Sequence, residues 1–258
     1  MAPDIAVSVV VPAYNEEGRL EPTVREIAEY FRASGRSIEC IVVDDGSRDG
    51  TSGVAAALAA EFPEVRLIRL AENRGKGYAV RSGMVNARGA LVLFTDADGA
   101  TPIAELERLE AAVAAGADVA IGSRGLAGAG VTVRARTYRR WIGRAFHLLV
   151  RLLATGKYVD TQCGFKLFRG EVAHDLFSRM RTAGFGFDVE LLVMAEQRGY
   201  AVAEVPVNWT HRAGSKVNLA SDCLAMAWDV ARVRARCLRG NYRTPHIAPW
   251  AGLAAGRS

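Results

Sequence analysis

The chain has 258 residues, half of them hydrophobic, with four Trp and four Cys, which is enough apolar surface for one large packed α/β domain and too much for a disordered chain. The formal net charge is +5, yet no apolar run approaches the ~18 residues of a membrane span, and the first eleven residues carry Asp4 and no basic leader. Cys40, Cys163, Cys223 and Cys237 lack metal-ligand spacing and read as reduced thiols of a cytosolic protein.

In chain order, an apolar run over 5–11 leads into Pro12-Ala13-Tyr14-Asn15-Glu16-Glu17. A second run, 38–43, is broken only by Glu39 and ends in Asp44-Asp45-Gly46-Ser47, followed by an Ala-rich helical segment. A third, 65–70, precedes Asn73-Arg74-Gly75-Lys76-Gly77, which opens a helical pattern over 78–87. A fourth, 90–94, closes on Thr95-Asp96-Ala97-Asp98-Gly99. Continuous β-branched runs separated by helix-length segments predict a mostly parallel sheet covered by helices on both faces, with ligands at the carboxyl ends of the strands. A glycine-rich connector over 125–136, a helix over 137–153, a helix starting near Phe187 and a helix over 222–239 follow. The domain is expected to span 1–240, with 241–258, containing Pro245 and Pro249, as a frayed tail.

Asp96 and Asp98 stand one residue apart where a buried strand stops. Their oxygens suit Mg²⁺ or Mn²⁺, which in turn neutralises phosphate oxygens. Asp and Gly are also turn formers, so the pair alone is a weak signal. Two further acidic or polar strand ends and the Gly75-Lys76-Gly77 loop, a helix start with a point charge for an anion, converge on the same edge. Together they read as a metal and diphosphate crevice.

Val11-Pro12-Ala13-Tyr14-Asn15-Glu16, Val43 to Ser47, Asn73 to Gly77, Asp96 to Gly99 and Gly122-Ser123-Arg124 resemble glycosyltransferase family 2, the inverting enzymes of the GT-A Rossmann-like fold. Asp160 to Lys166, Phe187-Asp188-Val189-Glu190 and His211 to Val217 resemble the branch that loads sugars onto polyprenyl phosphates. Ala100 stands where the mannose synthases of that branch carry a Gln, and Asp98-Gly99-Ala100-Thr101 is similar to the dolichyl-phosphate glucose synthases. The resemblance implies transfer of glucose from UDP-glucose to a polyprenyl monophosphate. The alternatives are a GDP-mannose donor, a soluble or glycan acceptor, a nucleotidyltransferase, and a non-catalytic nucleotide-sugar-binding membrane protein.

The resemblance also implies roles. Pro12, Tyr14 and Glu16 would line the base pocket, Asp44 and Asp45 would lie under the nucleotide, and Asn73, Lys76 and Ala97 would complete the donor site. Asp96 and Asp98 would hold the metal. Asp188 and Glu190 are the acids available to orient a sugar hydroxyl or, for a hydroxyl acceptor, to act as base. A phosphate acceptor is largely a dianion near neutrality, its second pKa lying near ~6, and needs cations rather than a base. Arg124, Arg134, Arg136, Arg212 and Lys216, with Gln162, are the candidates, and His211 belongs to the same loop.

Two helical patterns carry Arg on one face. Within 138–153 these are Arg140, Arg144 and Arg151 with His147; within 222–239 they are Arg232, Arg236 and Arg239, opposite Leu224, Trp228, Ala231 and Leu238. Basic amphipathic helices with Trp suit the headgroup plane of an anionic membrane, so peripheral association with the cytosolic face is expected. No stacking platform or reader motif accompanies the basic residues, which argues against nucleic acid. The sequence leaves the oligomeric state open.

Overall fold

The structure is a computed structural model that describes residues 5–128, 130–134, 156–212 and 219–242. Its strands are β1 (Val7–Ala13), β2 (Ile38–Asp44), β3 (Val65–Arg69), β4 (Leu91–Thr95), β5 (Val119–Ser123), β6 (Val133–Arg134), β7 (Phe165–Arg169), β8 (Val202–Pro206) and β9 (Trp209–Thr210). Its described α-helices are α1 (Leu20–Ser34), α2 (Thr51–Glu61), α3 (Lys76–Met84), α4 (Leu106–Ala114), α5 (Gly170–Arg179), α6 (Phe187–Gln197) and α7 (Leu219–Leu238).

Seven strands form one sheet in the order β3-β2-β1-β4-β7-β5-β8, and β6 pairs with β9 separately. Every residue of β1 is buried, as a strand covered on both faces requires. Val7, Val9 and Val11 face a layer formed with Leu20, Val24, Ile27 and Phe31 of α1, Leu58 of α2 and Leu109 of α4. Val10, with Ile41 and Val43 of β2, faces the layer that holds Val80, Leu176, Leu191 and Val230 of α3, α5, α6 and α7. The result is the three-layer GT-A Rossmann-like arrangement expected.

β2, β1 and β4 are parallel neighbours, with Ala13 opposite Asp44 and Val10 opposite Phe94, so all three strands end at the same edge of the sheet. The exception to parallel order is β7, antiparallel to both β4 and β5, which sets Lys166 between Phe94 and Ile121. The connector holds β6, whose Arg134 lies opposite Thr210 of β9. The helix expected over 137–153 lies outside the described residues, as do Arg136 and Lys216. Tyr242, two residues past the boundary expected at 240, is 4% exposed and belongs to the core.

Candidate active site

The crevice is built by hydrogen bonds that lock the strand ends together. Asn15 takes a left-handed backbone, φ 55°, an unusual conformation that Asn tolerates better than most residues. Its N–H donates to Ser47 Oγ (2.9 Å) and its Oδ1 accepts from Arg48 N–H (2.8 Å), tying the first strand end to the second. Glu16 N–H donates to Thr51 Oγ1 at 2.7 Å, while its carboxylate pairs with Arg19. Pro12 lies buried within β1 and Tyr14 is half-buried at its end.

Asp45 accepts from the N–H groups of Arg74 (2.8 Å) and Gly75 (2.9 Å), so it braces the loop that opens α3. Burial raises its pKa, and these two donors pull against that shift. Asp44 is fully buried; Oδ1 accepts from Ser47 N–H (2.9 Å), and Oδ2 lacks a hydrogen bond, with Arg69 Nε 3.9 Å away. Asn73 is exposed beside this loop. Gly75 has φ 95°, and a Cβ there would sit 2.6 Å from Ala183 O, so only glycine lets the helix start approach the 181–186 loop.

Asp96 and Asp98 are both half-buried at the end of β4. Lys76 Nζ stands 2.7 Å from Asp96 Oδ1. Asp98 Oδ1 accepts from Ala100 N–H (3.0 Å), and the Ala97 carbonyl accepts from Thr23 Oγ1 (2.9 Å), which fixes the turn. Burial and the neighbouring Asp96 charge raise the Asp98 pKa. Burial alone would lower the Lys76 pKa, but the carboxylates of Asp96, Asp188 and Asp98 hold it above its usual value. Two neighbouring half-buried carboxylates, one of them paired with Lys76, are a donor set that fits a divalent ion. Among the described residues no third His, Cys, Asp or Glu joins them, leaving the remaining positions to water and phosphate oxygens, as Mg²⁺ sites commonly do.

Gly164 sits directly behind this pair. Asp96 N–H donates to its carbonyl at 3.1 Å, and a Cβ at Gly164 would lie 2.6 Å from Asp96 Oδ1 and closer still to Oδ2 and Cγ. Two residues on, Lys166 is fully buried, with Nζ 2.5 Å from Asp188 Oδ1 and 2.7 Å from the Cys163 carbonyl. Burial raises the Asp188 pKa against the pull of Lys166 and Lys76. Asp188 is thus engaged by a lysine rather than presented as a base.

Glu190 is corrected more sharply. Expected near the sugar or the acceptor, it is 0% exposed. Oε2 accepts from the N–H groups of Arg181 (3.0 Å) and Thr182 (2.7 Å), and Oε1 from Tyr242 Oη (2.7 Å) and Arg236 (3.0 Å). It stands behind the site, not in it.

On the acceptor side, Arg124 makes a two-pronged pair with Asp160, Nε to Oδ2 at 2.7 Å and an Nη to Oδ1 at 2.9 Å. The Arg124 guanidinium, with Asp160 and Asp96 nearby, holds its proton more tightly than usual despite burial, and Arg124 brings Asp160 down to about 2 against the upward push of burial. Gln162 N–H donates to Asp160 Oδ1 (3.1 Å), and the Trp209 ring lies 5.6 Å from Arg124 Cζ. Thr210 N–H donates to the Ala100 carbonyl (2.9 Å), which brings the strand preceding His211 and Arg212 against the Asp98 turn; Arg212 is exposed. Asn15, Asp160, Gly164 and Lys166 stand inside the motifs read from the sequence, but that reading gave them no role. The signal for Lys166 was a lone charge in the apolar segment Phe165 to Phe168.

The profile of Glycosyl transferase family 2 matches residues 8–177. The chain belongs to glycosyltransferase family 2. This family 2 enzyme is 39% identical to dolichyl-phosphate beta-glucosyltransferases of Drosophila melanogaster, over 95% of the chain and 79% of the relative, and of Homo sapiens, over 94% and 79%. The Saccharomyces cerevisiae protein of the same name is 35% identical over 93% of the chain and 77% of its own length. Among solved structures, glucosyl-3-phosphoglycerate synthase from Mycobacterium tuberculosis, crystallised with Mn²⁺ and UDP-glucose, superimposes with a TM-score of 0.65 at 22% identity, covering 90% of this family 2 enzyme and 79% of that chain. That likeness establishes the fold.

Proposed function

We propose that this glycosyltransferase moves glucose from UDP-glucose to the phosphate of a polyprenyl, dolichyl-type monophosphate at a cytosolic membrane face, forming polyprenyl-phosphate glucose and UDP. The names of its relatives at 35–39% identity support the glucosyl group and the dolichyl-phosphate acceptor. The observation that carries the phosphate acceptor is the state of the two acids: Asp188 is paired with Lys166 and Glu190 is saturated by four donors. Neither is presented to deprotonate a hydroxyl, and a phosphate dianion requires no base.

Asp96 and Asp98 would hold Mg²⁺ or Mn²⁺, which when bound neutralises the departing diphosphate. Lys76, half-buried and 2.7 Å from Asp96, is positioned to turn its charge to the same phosphates. Asp45 keeps the Lys76 loop in place through the Arg74 and Gly75 amides. Arg124, held in orientation by Asp160, with Gln162 and Arg212, is assigned to the acceptor phosphate; Lys216 is assigned there by its motif, and Arg134 and Arg136 by their charge and their place in the connector. The acceptor oxygen attacks the anomeric carbon as the bond to the diphosphate oxygen breaks, and that electron pair leaves with UDP.

Membrane association is supported by α7. Trp228 is 65% and Leu238 72% exposed, Ala231 lies between them, and Arg232, Arg234 and Arg239 are exposed alongside. No helix among the described residues is long and apolar enough to cross a membrane. The test is a pH–rate profile with a polyprenyl phosphate and with its phosphonate analogue. The acid limb is expected to follow the second ionisation of whichever acceptor is used. A limb that stays fixed when the acceptor changes would return the base to the protein and overturn the phosphate reading.

A further inference from the structure

Helix α7 and the helix start at Lys76 meet through one loop, 181–186. On the site side, Tyr78 N–H donates to the Ala183 carbonyl (3.2 Å). A Cβ at Gly77 would stand 2.5 Å from Thr182 O and 2.9 Å from Gly184 O, and the Phe185 ring centroid is 5.8 Å from Lys76 Nζ. On the far side, Glu190 accepts from the loop's Arg181 and Thr182 amides with one oxygen and from Arg236 and Tyr242 with the other. Asp229 of α7 packs against the end of this loop, since a Cβ at Gly186 would lie 3.0 Å from Asp229 Oδ2 and 3.1 Å from its Cγ.

A buried carboxylate that spans a loop and a helix end holds both in one geometry, because losing either set of donors strands a charge in a dry site. We propose that Glu190 is a positioning residue of the donor site: it seats the 181–186 loop against Gly75, Lys76 and Gly77, and through Arg236 and Tyr242 it makes that seating depend on α7. This rests on the reading of Lys76 as the clamp for the donor diphosphate. The chain thereby fixes its exposed Trp228 and Leu238 helix and its donor clamp to the same group.

The experiment measures UDP binding by calorimetry, with Mn²⁺ present, and KM for UDP-glucose and for polyprenyl phosphate, in Glu190→Gln, Tyr242→Phe, Tyr200→Phe and Lys76→Ala. Tyr200 Oη donates to Asp175 at 2.9 Å, a comparable bond elsewhere in the fold, and serves as the control. Glu190→Gln and Tyr242→Phe are expected to weaken UDP binding and raise donor KM three- to tenfold while acceptor KM stays within twofold. Tyr200→Phe is expected to lower the melting temperature similarly and leave both constants unchanged. Should Glu190→Gln not fold, Tyr242→Phe carries the test. Unchanged donor constants in folded Tyr242→Phe, or an equal change in Tyr200→Phe, would overturn the proposal. Unchanged UDP binding in Lys76→Ala would instead overturn the clamp reading itself.

Discussion

Replacing Gly164 with Ala separates the site from the fold. The added Cβ would lie 2.6 Å from Asp96 Oδ1 and closer to Oδ2 and Cγ, against 3.4 Å for an ordinary van der Waals contact. The Asp96 carboxylate must therefore retreat by more than about 1 Å, a displacement that costs on the order of 100-fold in rate when the displaced group positions reacting atoms. The carboxylate that must shift is the one paired with Lys76 at 2.7 Å. Because the group that moves is a half-exposed side chain and not backbone, the fold is expected to absorb the change for about 1 kcal/mol or less. Initial rates of UDP release, read beside thermal unfolding, check both parts. A Gly164→Ala protein with wild-type turnover would refute the placement of Asp96 at the reacting phosphates, and one that is inactive because it is unfolded would refute the claim that the strain is local.

Lys166→Met removes the cation from a buried pair and strands Asp188; urea unfolding is expected to show a loss of about 3–5 kcal/mol, most of it recovered in Lys166→Met/Asp188→Leu. Asp160 titrates at about 2 beside Arg124, below the ordinary 3.8, so its contribution of roughly 2 kcal/mol is present above pH ~4 and lost as pH falls toward 2. The stability gap between wild type and Asp160→Asn should accordingly narrow below pH 4, and a gap constant from pH 6 to 3 would contradict the pairing. Trp228→Ala is expected to leave stability within about 0.5 kcal/mol yet reduce cosedimentation with anionic vesicles by about tenfold, the worth of one large apolar side chain leaving water.

The strands and their polar ends were legible because strands covered on both faces must read as continuous apolar runs, and Asp44, Asp96 and Asp98 interrupt those runs where the chain leaves the sheet. The antiparallel β7 was not, since Phe165–Arg169 is five residues long and its direction is set by its neighbours rather than by local propensity. The Lys76 loop was recognisable as a helix start, and α3 begins at Lys76 rather than at Tyr78. The partners of Lys166 and Glu190 were invisible for a different reason. They lie 22 and 52 residues away, at Asp188 and Tyr242, and no periodicity reports such pairing.

Helix α7 shows the limit of amphipathic patterns. The spacing placed Arg236 on a solvent face, but Glu190 draws it inward, while Trp228 and Leu238 remain exposed and Met226, Val230 and Val233 pack against the core. Which stripe packs is decided by the surface it meets. Asp188 and Glu190 were equally ambiguous in sequence, and only the positions of Lys166 and of the Arg181 and Thr182 amides take them out of contention as bases.

The most direct measurement is UDP release from UDP-glucose by the purified protein, with Mg²⁺ or Mn²⁺ and with polyprenyl phosphate in detergent, each component omitted in turn and GDP-mannose run as the control donor. Release from UDP-glucose that requires both the metal and the lipid phosphate is the expected result, with GDP-mannose inert. Release that ignores the lipid phosphate, or that occurs with GDP-mannose alone, would contradict the proposed reaction.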